Sequence, residues 1–228
     1  MEIVAGKIVD IDENGYATIK AYVPYITRAL TRKYEIVQVA LPDGRAITPA
    51  QNAKIHCLIK DIADYVQDSP KSVKELMKNM FMDSRYEGLI ECKLSLQKCD
   101  ETTAKEFISF LIDFMIENGV SSRKPLYLSA EDIGKYVYKC LMEKSCCVCG
   151  KKADLHHFDS VGMGRDRNEI CHLGLKALPL CREHHQMIHT MQENEFCHKY
   201  HIEPIKITEE IARVYGLNTK IKNMSLHG

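Results

Sequence analysis

The strongest constraint on this chain is a concentration of cysteine and histidine toward its carboxyl end. Residues 140 to 201 hold eight of the ten histidines and seven of the ten cysteines. In chain order they form three groups: Cys146-x-x-Cys149, His156-His157 and Cys181-x-x-His184-His185-x-x-x-His189. Spacings of this kind are typical of metal sites, and the order indicates two sites interleaved along the chain.

The first predicted site is a structural zinc ion held by Cys146, Cys149, Cys181 and His184. Structural zinc takes four thiolate or imidazole ligands in a tetrahedron, and each of the two pairs is spaced to lie on a single turn. The competing interpretation is a set of unrelated buried residues. Two correctly spaced pairs favour the zinc site over that interpretation. Cys147 competes with Cys146 for the first position, and spacing alone favours Cys146.

The second predicted site uses the remaining histidines, His156, His157, His185 and His189. Neutral imidazoles can hold a divalent ion while leaving coordination positions open for a substrate oxygen and water. His185 and His189 are four residues apart, so they share one face of a helix that begins near Cys181. Neighbours on a strand point to opposite sides, so His156 can bind metal while His157 faces a water. A second structural site or solvent-exposed histidines are the alternatives.

Composition restricts the possible partners. The 31 basic and 31 acidic side chains balance, so no net field draws the chain to nucleic acid or to an anionic membrane. Phosphate binding must therefore come from local groups and bound metal. No apolar run approaches the length of a membrane span, and the first ten residues alternate apolar and polar side chains. We expect a cytoplasmic protein with no membrane partner, whose reduced thiols bind metal instead of forming disulfides.

The amino-terminal part predicts strands followed by helices. Asn14-Gly15 indicates a hairpin between strands near residues 3–10 and 16–23, and a third strand is predicted near residues 35–41. Four helix starts are predicted, at Thr48-Pro49, at Ser69-Pro70, at Thr102 or Thr103, and at the capping box Ser129-x-x-Asp132. The fourth helix ends near residue 143 and leads directly into the first cysteine pair. That position is the predicted domain boundary.

Residues 143 to 200 resemble the HNH, or ββα-metal, nuclease motif, in which a zinc-braced hairpin carries a histidine pair and a helix carries metal ligands. The resemblance implies a metal ligand at His156, a general base at His157, and further ligands at His185 and His189. Nine residues before His185, where the family often has an asparagine that orients the base, this sequence has Lys176. Either another group orients the base, or Lys176 supplies charge to the phosphate, or catalysis is weak.

The segment Gly162-Met163-Gly164-Arg165-Asp166-Arg167 resembles an insertion of phage-encoded HNH proteins. Arg165 and Arg167 are candidate phosphate contacts because guanidinium matches phosphate with two parallel hydrogen bonds; a merely solvated loop is the alternative. Lys176 joins them as a candidate. His172, His198 and His201 are interpreted as ordinary polar or partly packed residues, with assistance to the site as an alternative for His172.

Residues 40 to 125 resemble the lambda Orf (NinB) recombination mediator family, on the segments Arg45 to Lys54 and Thr103 to Val120. That resemblance implies a module that binds single-stranded DNA and the host single-strand-binding protein, as a dimer. The fold prediction is α+β, in three parts: an Orf-like α+β domain over residues 1–142, a small zinc-braced ββα-metal (HNH) domain over residues 143–200, and a packing tail over residues 201–228.

The expected function is a metal-dependent DNA endonuclease of phage recombination or DNA processing, acting in the cytoplasm of a bacterial host. Zn²⁺ is expected as the structural ion, and Mg²⁺, Mn²⁺ or another divalent ion as the catalytic one. The alternative is a non-catalytic recombination mediator whose HNH domain is a zinc-held scaffold. Lys176 favours this alternative, and the complete histidine set opposes it. Branched DNA is a further possible substrate.

Overall fold

The structure is a computed structural model that describes residues 6–22, 26–31, 44–86, 94–158 and 170–219. It is a mixed α/β structure with one two-stranded and one three-stranded sheet among these residues. The chain divides into two compact units, residues 1–41 and residues 42–228. The strand predicted near residues 35–41 lies outside the described residues. No helix within the described ranges is both long and apolar enough to cross a bilayer.

The first unit contains an antiparallel hairpin of β1 (Gly6–Ile11) and β2 (Ala17–Ala21), followed by α1 (Ile26–Thr31). The carboxylate of Asp12 accepts hydrogen bonds from two backbone amides across the turn, at 2.9 and 2.8 Å. Gly15 has φ of +86°, a left-handed conformation that glycine adopts without strain. The hairpin predicted from Asn14-Gly15 is confirmed.

Three helices build the core of the second unit: α2 (Pro49–Val66), α3 (Pro70–Tyr86) and α4 (Glu101–Glu117). Thr48 caps α2 in a reciprocal capping box with Gln51, as its Thr-Pro start predicts. α4 begins slightly earlier than predicted because the carboxylate of Asp100 accepts the Thr103 amide at 2.7 Å. Carboxylate caps of this kind satisfy an amide that has no partner within the helix.

Helix α5 (Ile133–Met142) connects this helical core to the part of the chain that is rich in cysteine and histidine. Asp132 is its N-cap, whereas Ser129 closes a 3₁₀ turn over Leu126–Leu128. The capping box predicted to start at Ser129 is therefore wrong, because Asp132 itself accepts the Lys135 amide. α5 packs on α4 and also on elements that follow residue 143. The division after residue 142 stays a prediction.

The described residues of the carboxyl-terminal part form a small antiparallel sheet, in the order β3-β4-β5, with three helices. Its elements are β3 (Asp154–His157), β4 (Lys176–Leu180), α6 (Arg182–Thr190), α7 (Glu193–Tyr200), β5 (Ile205–Lys206) and α8 (Glu209–Tyr215). The predicted packing tail thus contributes a strand beside β4 and a helix against α5. Ile207 and Ile211 are buried there, so this segment closes the core beneath β4.

Phe107 on α4 is fully buried, and its ring lies 5.2 Å from Phe81 and 6.4 Å from Phe110. We expect Phe107→Ala to lower the free energy of unfolding by about 3–5 kcal/mol, through lost apolar burial and the cavity left behind. Urea denaturation of the whole chain measures this loss. Phe110→Ala is the matched control: its ring is only partly buried, so its loss should be clearly smaller.

Candidate active site

The first ligand pair lies on a short loop between α5 and β3. The Cys146 amide donates to the Lys151 carbonyl at 2.7 Å, and the Gly150 amide donates back to the Cys146 carbonyl at 2.8 Å. Gly150 has φ of +71°, which allows the chain to turn tightly after Cys149. These bonds bring both sulfurs to the same side of the loop.

The structure brings Cys146, Cys149, Cys181 and His184 into one cluster, with their ligand atoms all within 4.8 Å of one another. Cys149 Sγ lies 3.6 Å from Cys181 Sγ, and His184 Nδ1 lies 3.6 Å from Cys146 Sγ and 3.2 Å from Cys181 Sγ. A tetrahedral zinc ion with its usual bond lengths separates two sulfurs by about 3.8 Å, and a sulfur from a nitrogen by about 3.6 Å. The four residues therefore fit a zinc ion with shifts of a few tenths of an ångström.

Cys147 takes no part in this cluster and belongs to the core. It is completely buried, its amide donates to the Pro179 carbonyl at 3.1 Å, and its carbonyl accepts the Tyr136 hydroxyl at 2.8 Å. These two bonds tie the ligand loop to β4 and to α5. Cys147 thus has a packing role, whereas its neighbour Cys146, the residue that the spacing favoured, belongs to the cluster.

The thiols of the cluster differ in the direction in which their pKa is shifted. Burial raises the pKa of Cys146, and burial raises the pKa of Cys149 to about 12. Burial also acts on Cys181, but hydrogen bonds from the start of α6 and from the neighbouring thiols outweigh it and lower its pKa. A bound cation stabilises thiolates strongly, so zinc binding would release protons from this cluster.

Helix α6 carries ligands of both predicted sites. Cys181 is its N-cap, and the His185 amide donates to the Cys181 carbonyl at 2.8 Å, which begins the helix. The His184 ring packs edge-on against Tyr200 of α7, with centroids 5.7 Å apart. One turn of helix therefore directs His184 to the sulfur cluster and His185 toward β3.

The second cluster consists of His156 on β3 and His185 and His189 on α6. Ring centroids lie 4.8 Å apart for His156 and His185, 5.2 Å for His156 and His189, and 4.7 Å for His185 and His189. Their ligand nitrogens all lie within 4.8 Å of one another. Exposure rises from buried His156 to exposed His189, so the cluster opens toward solvent on one side. An ion held there can keep coordination positions for water or substrate.

His156 has the chemistry of a metal ligand. Its Nε2 atom is buried and has no hydrogen-bond partner, which costs free energy unless an ion or water satisfies it. Burial, together with the charges of His185 and His189, lowers the pKa of His156 to about 4. The ring is therefore neutral near pH 7, which is the form that binds metal. The three histidines fit a divalent ion.

Glu193, the first residue of α7, is a neighbour of this cluster that sequence analysis missed. One carboxylate oxygen lies 3.6 Å from His156 Nε2, and the side chain is half exposed. The only sequence signal for Glu193 was its place as an acidic residue in the first turn of the helix after α6. Acidic residues are common at helix starts without binding anything, so this signal did not distinguish it. Its negative charge favours a cation at the cluster.

His157 points away from the metal cluster, as strand alternation predicts. Its Nε2 lies 2.9 Å from Nδ1 of His172, a hydrogen-bonding distance between two imidazoles. His172 is buried, with 3% of its surface exposed. The sequence predicted His172 to be an ordinary polar or partly packed residue and did not predict this contact. No periodic pattern links a loop histidine to a strand residue fifteen positions earlier.

The three candidate phosphate contacts have separate outcomes. Lys176 is the first residue of β4 and is exposed, and its carbonyl accepts the Phe158 amide at 2.8 Å. Its register partner on β5 is Lys206. Arg165 and Arg167 lie outside the described residues. Phosphate binding by any of the three stays a prediction.

The pairing of β3 with β4, a helix that carries two candidate metal ligands, and a histidine pair on β3 whose first member faces that helix are the elements of a ββα-metal site. A family model described as "Putative HNHc nuclease" matches residues 24–218. The match covers well over half of the chain, so the chain belongs to this family of HNH nucleases. Comparisons with curated proteins and with solved structures gave no match. Residues 1–23, which include β1 and β2, lie outside the matched range.

The sulfur cluster yields a prediction about metal content. We expect about one tightly bound zinc ion per chain, and we expect Cys149→Ser to lose that zinc and to destabilise the segment around α6, because zinc binding supplies folding free energy. Elemental analysis and thermal unfolding of protein purified without chelator measure both effects. Cys57→Ser, at an exposed cysteine on α2, is the control and should keep its zinc.

The same measurement distinguishes the two adjacent cysteines. Cys146→Ala should lose zinc, whereas Cys147→Ala should retain it although the buried position lowers stability. Wild-type protein without zinc would refute the structural site. If Cys147→Ala lost zinc while Cys146→Ala kept it, Cys147 would be the zinc ligand and Cys146 the packing residue.

Proposed function

We propose that the chain is a metal-dependent DNA endonuclease whose active site combines His156, His185 and His189 as ligands of a divalent ion with His157 as general base. The observation that carries this proposal is the open three-histidine cluster beside a fourth histidine on the opposite side of the same strand. Membership of an HNH nuclease family supports DNA as the substrate.

In the proposed reaction, His157 accepts a proton from water as the water oxygen attacks phosphorus. The new P–O bond forms as the bond to the 3′ oxygen breaks, and the 3′ oxygen takes a proton from solvent. The products are a 5′-phosphate and a 3′-hydroxyl, as the family resemblance implies. A divalent ion such as Mg²⁺ or Mn²⁺ supplies Lewis-acid stabilisation of the charge that develops on the phosphate and leaving oxygens. The ligand nitrogens of His156, His185 and His189 lie within 4.8 Å of one another, close enough to hold such an ion together. A zinc ion on Cys146, Cys149, Cys181 and His184 would hold the helix that presents two of them.

We also propose that this nuclease acts in phage recombination or DNA processing in a bacterial host. The support is the resemblance of two segments, residues 45–54 and 103–120, to Orf-like mediators, which bind single-stranded DNA and single-strand-binding protein as dimers. These segments are adjacent in space, since Ala46 bridges to Asp100 and α2 packs on α4. Single-stranded or branched DNA would then be the substrate.

A second candidate function is a non-catalytic mediator that uses the zinc-held fold as a scaffold. Lys176, in place of the usual asparagine, is the observation that favours it. Incubating the full chain with single-stranded, duplex and branched DNA and added Mg²⁺ or Mn²⁺ separates the two. Absence of cleavage on all three substrates, by protein shown to bind DNA, would favour the mediator.

The proposed base predicts a specific separation of effects. His157→Ala should lower the cleavage rate by roughly two to four orders of magnitude, the usual worth of general-base catalysis, while Mn²⁺ affinity stays nearly unchanged. His189→Ala is the comparison variant, because it removes a ligand and should weaken Mn²⁺ binding as well as cleavage. Single-turnover kinetics and isothermal titration calorimetry measure the two quantities. If His157→Ala cleaved DNA at the wild-type rate, a group other than His157 would be the general base.

The proposed phosphate contacts predict a change in salt dependence. The double variant Arg165→Ala/Arg167→Ala should bind duplex DNA more weakly, with a slope of log affinity against log salt that is smaller by about two, since each phosphate contact contributes about 0.9. Lys60→Ala/Lys71→Ala, at exposed positions on α2 and α3, is the charge-matched control. If both double variants changed the salt dependence equally, the arginines would act only through their charge and not as specific phosphate contacts.

A further inference from the structure

The hydrogen bond between His157 and His172 places a buried imidazole behind the proposed base. The two rings meet at 2.9 Å through Nε2 of His157 and Nδ1 of His172, with ring centroids 4.9 Å apart. A hydrogen bond between two neutral imidazoles needs one donor and one acceptor, so it selects a tautomer for each ring. A bond of this kind also restrains the rotation of the His157 ring about its last side-chain torsion.

His172 is held firmly enough to impose such a restraint. Its amide donates to the Asn218 carbonyl at 2.9 Å, and its carbonyl accepts the Leu175 amide at 3.3 Å. Gly174, in the turn between them, has φ of +80° and donates its amide to the Ile207 carbonyl at 3.0 Å. The loop that carries His172 is therefore fastened to the carboxyl-terminal segment, on both sides of α8.

We propose that His172 is a positioning residue for the nuclease reaction: its Nδ1 accepts the Nε2–H of His157, which directs proton acceptance to Nδ1 of His157. This inference rests on the proposed function of His157 as general base. It supplies an orienting group at a place other than Lys176, where the HNH motif often has asparagine. With its Nε2–H bonded to buried His172, the His157 ring is held in one orientation and one tautomer, with Nδ1 as its acceptor atom.

Two variants of similar shape test this role. Asparagine places Oδ1, an acceptor, one bond beyond Cγ, where histidine has Nδ1; leucine places a methyl group there. His172→Leu should therefore lower kcat by about 10- to 100-fold, the usual effect of removing an orienting partner, with little change in KM. His172→Asn should stay within a few-fold of wild type. Both lose the imidazole, so a purely structural role would impair them together.

A double-mutant cycle tests whether His172 acts through His157. If it does, His157→Ala/His172→Leu should cleave no more slowly than His157→Ala, because the orienting bond has no effect once the base is absent. Zinc content and the unfolding midpoint are measured for every variant. A wild-type kcat for His172→Leu, an equal fall for His172→Asn, or additive losses in the double variant would each overturn the inference.

The tautomer of His157 is measured without any cleavage. Long-range ¹⁵N–¹H correlation spectra of the histidine-labelled full chain should show the Nε2–H form in wild type and in His172→Asn, and a mixture in His172→Leu. The same tautomer in all three proteins would overturn the inference. Failure of the proposed function is recognised separately, by a wild-type chain that cuts no DNA or by His157→Ala cutting at the full rate.

Discussion

The start of helix α6 is the point on which the rest of the site depends. Cys181 caps this helix and also belongs to the sulfur cluster, so one residue sets both the helix position and the geometry of the predicted zinc site. His184 faces that cluster, and His185 and His189 follow on the same helix. An ion bound to the sulfur cluster would therefore also hold the candidate ligands of the second cluster in place.

Strand alternation separates the two tasks that we propose for adjacent histidines. β3 turns His156 toward α6, where its buried and unpartnered Nε2 suits a cation, and turns His157 toward His172. The rings on the two faces therefore lie in different surroundings although they are neighbours in sequence. A ligand must be neutral and immobile, whereas a base must be oriented and able to accept a proton, so this separation serves both.

The carboxyl-terminal segment takes part in the site as well as in packing. Ile207 and Ile211 close the core beneath β4, and the backbone of Asn218 fastens the loop that carries His172. Helix α5 packs on α4 and on α8, so the helical core and the elements that carry the two Cys/His clusters share one apolar interior. That continuity agrees with a family match that begins before α2 and ends after α8.

Local sequence determined the features that depend on a few consecutive residues. Ligand spacing predicted which cysteines and histidines could cluster, and Asn14-Gly15 and Thr48-Pro49 predicted a turn and a helix start, because side chains and backbone angles act there over one turn of chain. Tertiary structure alone decided the contacts between distant segments: Glu193 beside His156, and His172 beside His157. Neither contact follows a period of helix or strand. Each arises because the tertiary fold brings the start of α7 and the loop before β4 next to β3. Burial there also lowers the pKa of His156.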